Sequence, residues 1–468
     1  MRFSAAMTAE RLLPQRMAAY ARPLLGRIDT LLHSGAGHGD AGRVSVIAFA
    51  IRIVNAAIAF ISQVLLARWM GSFEYGIFVL VWTTMIIVGN LSCFGIHTTV
   101  IRFIPQYREA GELAMLRGVL FGSRVGVLVA SSVLATLGAL GIWLLEPSID
   151  HYYVLPFYLG VICLPMIALS DVLQGIARAN SWAVSALAST YIVRPVLILA
   201  FMLGAVWLDY PADAVTAIWC AILATYVTTI WQLINVTQRI DIRVPEGPRS
   251  YDLHLWMKVS LPIFLVESFF FLLTNADVLM VGAYLDPHDV AVYFATVKTL
   301  ALVHFVYFSV KAGVAQRYAQ LAQQDGGLRL AEFARTTSAW TFWPSLAMGI
   351  AVLALGKPML LLFGPGFDAG YPLLFVLVLG VVTRAAIGPA ESLLTMTGNQ
   401  NVCALVYGMA LALNVGLNVW LIPQLGLWGA AIAMLGAIVF EAATIALLVW
   451  YRLGIPMAVF LPARGASR

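Results

Sequence analysis

The sequence alternates almost from end to end between long apolar stretches and short polar ones. A helix needs about 20 residues to cross a hydrocarbon core about 30 Å thick. Twelve stretches come close to or exceed that length: 45–67, 75–98, 119–145, 154–173, 183–207, 214–236, 260–284, 290–311, 338–355, 372–396, 401–421 and 428–450. No water-soluble fold buries so much apolar surface. Apolar residues make up 61% of the chain and charged residues 11%, against about 25% charged in an ordinary soluble domain. Inside hydrocarbon every backbone N–H and C=O must be paired within its own segment, so the spans are helices. The sequence predicts an all-α integral membrane protein with about twelve transmembrane helices.

The charges between the spans set an orientation. With both termini cytoplasmic, 21 of the 28 basic residues fall in cytoplasmic segments, and the opposite loops hold only Arg68 and Lys357. Those opposite loops carry acids instead: Glu74, Glu146, Asp150, Asp209, Asp213, Asp286, Asp289 and Asp368. This is the positive-inside bias, and it was not used to draw the spans. The net charge of +5 therefore flanks membrane helices and gives no basic domain for nucleic acid. The expected domains are a basic cytoplasmic arm (1–43), an N-lobe of six spans (44–237), a cytoplasmic linker (238–258), a C-lobe of six spans (259–451) and a cytoplasmic tail (452–468). The arm reads either as an amphipathic helix on anionic lipid or as a disordered tail. It does not read as a cleavable signal peptide, because the first apolar run is long enough to span.

The two lobes echo one another. Gly71 opens a turn and Tyr107 follows 36 residues later; Gly282 is expected to open the matching turn, with Tyr318 again 36 residues on. Both halves start from the same side, which implies a parallel repeat. Pro165, Pro195, Pro262 and Pro389 interrupt four spans and predict kinks there.

Chemistry-bearing motifs are missing from the pattern. Gly356-Lys357 is followed by Pro358, so no phosphate-binding GxxxxGK[ST] loop exists, and HExxH, GxSxG and CxxC do not occur. The four cysteines lie within or at the ends of apolar segments, which argues against a disulfide framework or a Cys-ligated metal. Neither an enzyme, a cofactor nor a metal site is expected.

Function should show in the charges that sit inside the bilayer, each of which costs about 2.5–3.5 kcal/mol at mid-membrane. Arg52, Arg194, Lys298 and Arg384 are the cations, and Glu267, Asp277, Glu391 and Glu441 the acids. Most must face each other or a wet cavity. Arg52 shares a helical face with Asn55, with Gln63 adjoining; Arg384 shares one with Glu391; Glu267 shares one with Thr274 and Asp277; Asn414 and Asn418 stack one turn apart. The expected substrate-binding set is Arg52, Asn55, Gln63, Arg194, Lys298 and Arg384. The expected ion-coupling set is Glu267, Asp277 and Glu391, through H⁺ or Na⁺. Structural networks that glue helices together are the competing reading, above all for the Asn pair, Arg384–Glu391 and Glu441.

Several segments in order resemble the polysaccharide-transporter family: LLARWMGSFEYGIF, GIHTTVIRFIPQY, DVLQGIARAN, NADVLMVGAYLDPHDVAVYFATVK, LLLFGPGF, LLTMTGNQN and LIPQLGLWGAAIA. This family contains Wzx-type O-antigen and exopolysaccharide flippases and shares a superfamily with MATE multidrug exporters and the lipid II flippase. The resemblance covers about residues 43–450. It implies two six-helix lobes around a central cavity opened alternately to each side. The first, second, seventh and eighth spans would line that cavity, which favours Arg52, Lys298, Glu267 and Asp277. It further implies an undecaprenyl-diphosphate-linked oligosaccharide as substrate, moved from the cytoplasmic to the periplasmic leaflet of a bacterial inner membrane, alongside a polymerase and glycosyltransferases. A MATE-type antiporter of cationic drugs or metabolites is the alternative, and a scaffold that recruits transferases a second one.

Overall fold

The computed structural model describes residues 39–324, 328–457 and 459, and every regular element among them is helical. The side chains of 39–55, including Arg52 and Asn55, lie outside that description. The described residues from 58 onward pack as one compact unit, and every contact described below lies within it.

The helices in chain order are α1 (Gly39–Leu91), α2 (Ile96–Glu109), α3 (Leu113–Leu145), α4 (His151–Val161), α5 (Leu164–Ala179), α6 (Ala183–Ala188), α7 (Arg194–Trp207) and α8 (Ala214–Asp241). The second half continues with α9 (Leu253–Tyr284), α10 (Pro287–Gln324), α11 (Leu328–Leu361), α12 (Tyr371–Ala386), α13 (Ala390–Met396), α14 (Gln400–Leu425) and α15 (Leu427–Leu453). Among the described residues ten helical segments are long and apolar enough to cross a membrane, and the pair α4 and α5, bent by 46°, makes an eleventh. The first of the ten, Ala56–Glu109, is 54 residues long. At about 1.5 Å per residue that is well over one bilayer thickness, and α1 breaks inside it at Gly71. Counted as two crossings, it brings the total to the expected twelve.

Each break has a local cause. Gly71 adopts φ 76 and ψ 168, a backbone that a side chain at Cβ disfavours. Pro165 sits in the first turn of α5, just after the bend between α4 and α5. Ahead of Pro195 the chain forms a five-residue π-helical stretch, Ser189–Val193, which widens the turn that the proline ring would otherwise clash with. Gly388 (φ 60) and Pro389 separate α12 from α13. Pro262 is the exception, since it lies inside the continuous α9. The span expected at 338–355 is longer, a 34-residue helix that carries Pro344 and Pro358.

Packing sorts the helices into two bundles. The first joins α2 to α3 and α5, and α8 to α5 and α7; the second joins α14 to α9 and α15, α10 to α11, and α12 to α11 and α15. The two meet where α2 packs on α9. Outward faces are apolar: Val125, Val129, Val133, Leu137, Leu140 and Leu144 recur at helical spacing along α3 and are all exposed. Exposed Trp143, Trp207, Tyr210, Trp450 and Tyr451 sit near helix ends, where aromatic rings fit the membrane–water interface.

The glycine echo between the halves does not hold. Gly71 opens a break, but Gly282 lies inside α9, just before the turn at Leu285. It is a packing glycine, since a Cβ there would come within 2.5 Å of the Leu80 methyl carbons. The tyrosine echo has structural content. Tyr107 accepts from the Trp256 indole at 2.9 Å, Tyr318 bonds the Thr337 hydroxyl, and both rings are buried.

Candidate functional site

Two intramembrane cations rest on aromatic rings and have no carboxylate within ion-pair distance among the described residues. Lys298 is exposed on α10, although its neighbours Thr296, Thr299 and Leu300 are fully buried. Its ammonium lies 4.6 Å from the centre of the Phe294 ring, one helical turn back. Arg194 begins α7 and is half-buried, with its guanidinium 5.8 Å from the Trp82 ring. Both rings connect to one face of the second half of α1. Tyr75, Phe78 and Trp82 fall there at i, i+3 and i+7; Tyr75 meets Phe294 edge-on at 6.3 Å and Phe78 stacks on Trp82 at 6.2 Å. Gln63, on the same side of the break at Gly71 as Arg52, accepts a hydrogen bond from the Tyr75 hydroxyl at 2.8 Å. A cation over a π face is attracted without being neutralised, so it can still receive an anion.

Arg384 is placed differently from expectation. It is 5% exposed and its guanidinium meets Glu441 at 2.9 Å and Glu391 at 3.4 Å, between the Phe270 and Tyr307 rings. Lys311 pairs with Glu391 as well. Two cations and two carboxylates thus close on each other across α10, α12, α13 and α15. Neither Arg384 nor Glu391 has charge left over for a ligand, and the competing structural reading fits them both.

The other two acids face different neighbours despite their common helix. Asp277 is buried and takes hydrogen bonds from Asn414 at 2.9 Å and Asn418 at 2.8 Å, which explains the asparagine stack on α14. Glu267 turns toward the first bundle. Thr98 donates to both of its oxygens, at 2.9 and 3.1 Å, and His97 Nε2 lies 3.3 Å away. Its side chain is still 39% exposed. It opens on a cavity of about 360 Å³ between the bundles, lined also by Arg102, Thr395, Gln400 and Asn401.

The two ends of the bundle interface differ. At the end that carries Gly71, Arg68 donates to the Leu362 and Leu361 carbonyls, Ser72 meets His288 at 2.8 Å, and Phe60 packs edge-on against Phe363. A Cβ at Gly76 would lie 1.7 Å from the Pro287 carbonyl oxygen, so the backbones touch. The cavity beside Glu267 lies toward the opposite end.

Residues 43–315 match the sequence profile of a family described as polysaccharide biosynthesis proteins. The chain belongs to that family. Residues 262–420 also match the MatE family, and no curated relative matches. Among solved structures, the lipid II flippase MurJ in an inward closed conformation superposes with a TM-score of 0.68 at 14% identity, covering 86% of this chain and 87% of MurJ. An inward-facing multidrug resistance MATE family transporter of the MOP superfamily gives 0.64 at 15% identity, over 87% and 94% of the two chains. A MOP superfamily transporter from Pyrococcus furiosus, reported with a binding pocket of reverse polarity, gives 0.58 at 16% identity, over 91% and 97%. These likenesses give this family member the MATE-like fold that the sequence implied. The expectation of an all-helical, multi-pass membrane protein holds with it.

Within that frame, Lys298, Arg194 and Gln63 are gathered around the aromatic face of α1, whereas Arg384, Glu391 and Asp277 are closed inside the second bundle. His97, Thr98, Arg102, Gln400 and Asn401 escaped the sequence reading because they sit at span ends, where polar residues are ordinary. Among the described residues no group of three His, Cys, Asp or Glu side chains is placed to hold a metal ion.

Proposed function

We propose that this family member is a flippase that moves a polyprenyl-diphosphate-linked oligosaccharide, of the undecaprenyl type, between leaflets by alternating access. The observation that carries the reading is the charge asymmetry inside the membrane. Lys298 and Arg194 rest on aromatic rings with no carboxylate within ion-pair distance among the described residues, while Asp277, Glu391 and Glu441 are each engaged by protein partners and the more open Glu267 is held by Thr98 and His97. A diphosphate cannot enter hydrocarbon bare, and cations in a wet cleft replace its hydration while the polyprenyl tail stays in lipid. A carrier of cationic drugs needs the reverse, free acids among aromatics. Membership in a family of polysaccharide biosynthesis proteins supports the same choice.

The proposed orientation puts both termini in the cytoplasm, following the basic residues, and the membrane is a bacterial inner membrane. The contacts at the Gly71 end then close the periplasmic side, and the cavity beside Glu267 opens inward. Arg52 and Asn55 remain proposed as substrate contacts on sequence grounds. Glu267 and Asp277 are the proposed points for coupling to H⁺ or Na⁺, because a carboxylate that gains a cation changes which partners it holds. A polymerase and glycosyltransferases are the proposed functional neighbours.

The test is leaflet exchange of a fluorescent undecaprenyl-diphosphate-linked saccharide in liposomes containing the full chain. The proposal expects exchange well above protein-free liposomes. It fails if that lipid does not move while a cationic dye is carried.

A further inference from the structure

The cavity between the bundles combines a cation with a carboxylate, two carboxamides and a hydroxyl, a more mixed set than the lone cations beside the aromatic face of α1. Arg102 comes from α2, Glu267 and Pro262 from α9, Thr395 from α13, and Gln400 and Asn401 from the first turn of α14. Four of these six side chains are planar forks: a guanidinium, a carboxylate and two carboxamides. Adjacent sugar hydroxyls each donate and accept, and planar groups with paired polar atoms satisfy two of them at once. The apolar wall of Pro262 and its neighbours Ile263 and Val266 suits the C–H face of a sugar ring. The volume of about 360 Å³ lies within the range of small-ligand sites.

The polar groups are held ready and not used up. Among the described residues the side-chain amides of Gln400 and Asn401 make no hydrogen bond, and Arg102 only lies over Phe103. Gly398, with φ 83, ends α13 and turns the chain so that Gln400 and Asn401 start a new helix beside the cleft. Glu267 is fixed by Thr98 and His97, which leaves its remaining lone pairs toward the opening. Depth fits a head group that extends from the cations. Glu267 lies nearly five helical turns before α9 ends at Tyr284, whereas Lys298 lies only about three turns after α10 begins at Pro287. At about 5.4 Å per turn, Lys298 is about 9 Å nearer the Gly71 end. A diphosphate beside Lys298 would place its first sugars at the level of Glu267.

We propose that this cleft is the saccharide subsite, in which Glu267, Gln400, Asn401 and Arg102 read the hydroxyls of the sugars next to the diphosphate. The inference rests on the flippase reading and adds to it the residues that select the glycan. The full-length protein in nanodiscs is titrated with undecaprenyl diphosphate and with the same lipid bearing one N-acetylglucosamine, glucose or galactose residue. At least one sugar-bearing lipid should bind about tenfold more tightly than the sugar-free one, as two or so net hydrogen bonds predict. The Gln400→Ala/Asn401→Ala double variant should bring that ratio to about one. Glu267→Gln, which keeps the shape and swaps an acceptor for a donor, should lower it as well. Equal binding of all the lipids, or a ratio that neither variant changes, overturns the subsite and leaves the flippase reading standing. If no lipid binds, the sugar-free one included, the flippase reading falls and the subsite with it.

Discussion

Lys298 and Arg384 are both cations within apolar helices, yet the protein holds them by opposite means. Lys298 keeps its charge exposed on a ring, and Arg384 spends its charge on Glu441 and Glu391. The two should therefore fail differently. Lys298→Ala should lower the flipping rate by about ten- to a hundredfold, the worth of one hydrogen bond to a charged group, with little change in protein yield. Lys298→Arg should restore most of the rate, because the position requires charge on an aromatic ring; a Lys298→Ala protein that flips at full rate would remove Lys298 from the path. Arg384→Met should instead cost stability. It leaves two buried carboxylates facing Lys311 alone, and breaking a buried pair costs about 3–5 kcal/mol. Thermal unfolding in detergent should show a large drop for Arg384→Met and a smaller one for Arg384→Met combined with Glu441→Gln, which removes one of the stranded charges. The presence of these charges was legible in the sequence, since each stands alone in an apolar run. Helical spacing also offered Glu391 as a partner of Arg384, but neither Glu441 nor the Lys311 that pairs with Glu391. Arg384 is on α12, while Glu441 lies on α15 and Lys311 on α10, each far from it along the chain. Helix packing chooses Glu441 and Lys311.

The helices themselves were legible because bilayer thickness fixes their length and the hydrophobic requirement leaves few polar residues inside them. Their breaks were legible only where the backbone demanded a special residue. Gly71 and Pro389 mark true interruptions, whereas Gly282 and Pro262 lie within a continuous helix. A glycine motif cannot by itself separate a left-handed turn from a close packing contact, and Gly282 belongs to the second kind. Close packing also gives the Gly71 end its function in the proposed cycle. Gly76 lets α1 approach the start of α10 so closely that a side chain would strike the Pro287 carbonyl. Gly76→Val should therefore wedge these helices apart and favour the state open at that end. Ser72, which meets His288 in the closed arrangement, reports the change. The four native cysteines are all buried, so a Ser72→Cys reporter labels against a low background. A membrane-impermeant maleimide added from that side should react severalfold faster with Ser72→Cys/Gly76→Val than with Ser72→Cys alone. Equal labelling would mean that this contact is not part of a gate.

At the scale of the whole molecule the question is which charges cross the membrane with the substrate. In alternating access the two bundles rock about a site near the middle of the bilayer, so Lys298 and Arg194 move little through the field. The diphosphate moves through all of it. Transfer of one charge across 100 mV is worth about 2.3 kcal/mol, so two negative charges gain about 4–5 kcal/mol on leaving an inside-negative compartment. That corresponds to a shift of about three powers of ten in the outer-to-inner ratio at equilibrium. Exchange for an incoming proton or Na⁺ would steepen the dependence. Co-export of two monovalent cations would abolish it. Liposomes loaded with potassium and treated with valinomycin set the potential independently of any proton or sodium gradient. The labelled lipid should accumulate in the positive-side leaflet as the potential grows, and the ratio should relax when the potential is collapsed. A ratio indifferent to potential, in a protein that still flips its lipid, would mean that compensating cations travel with the diphosphate. Stationary Lys298 and Arg194 would then not be what neutralises it.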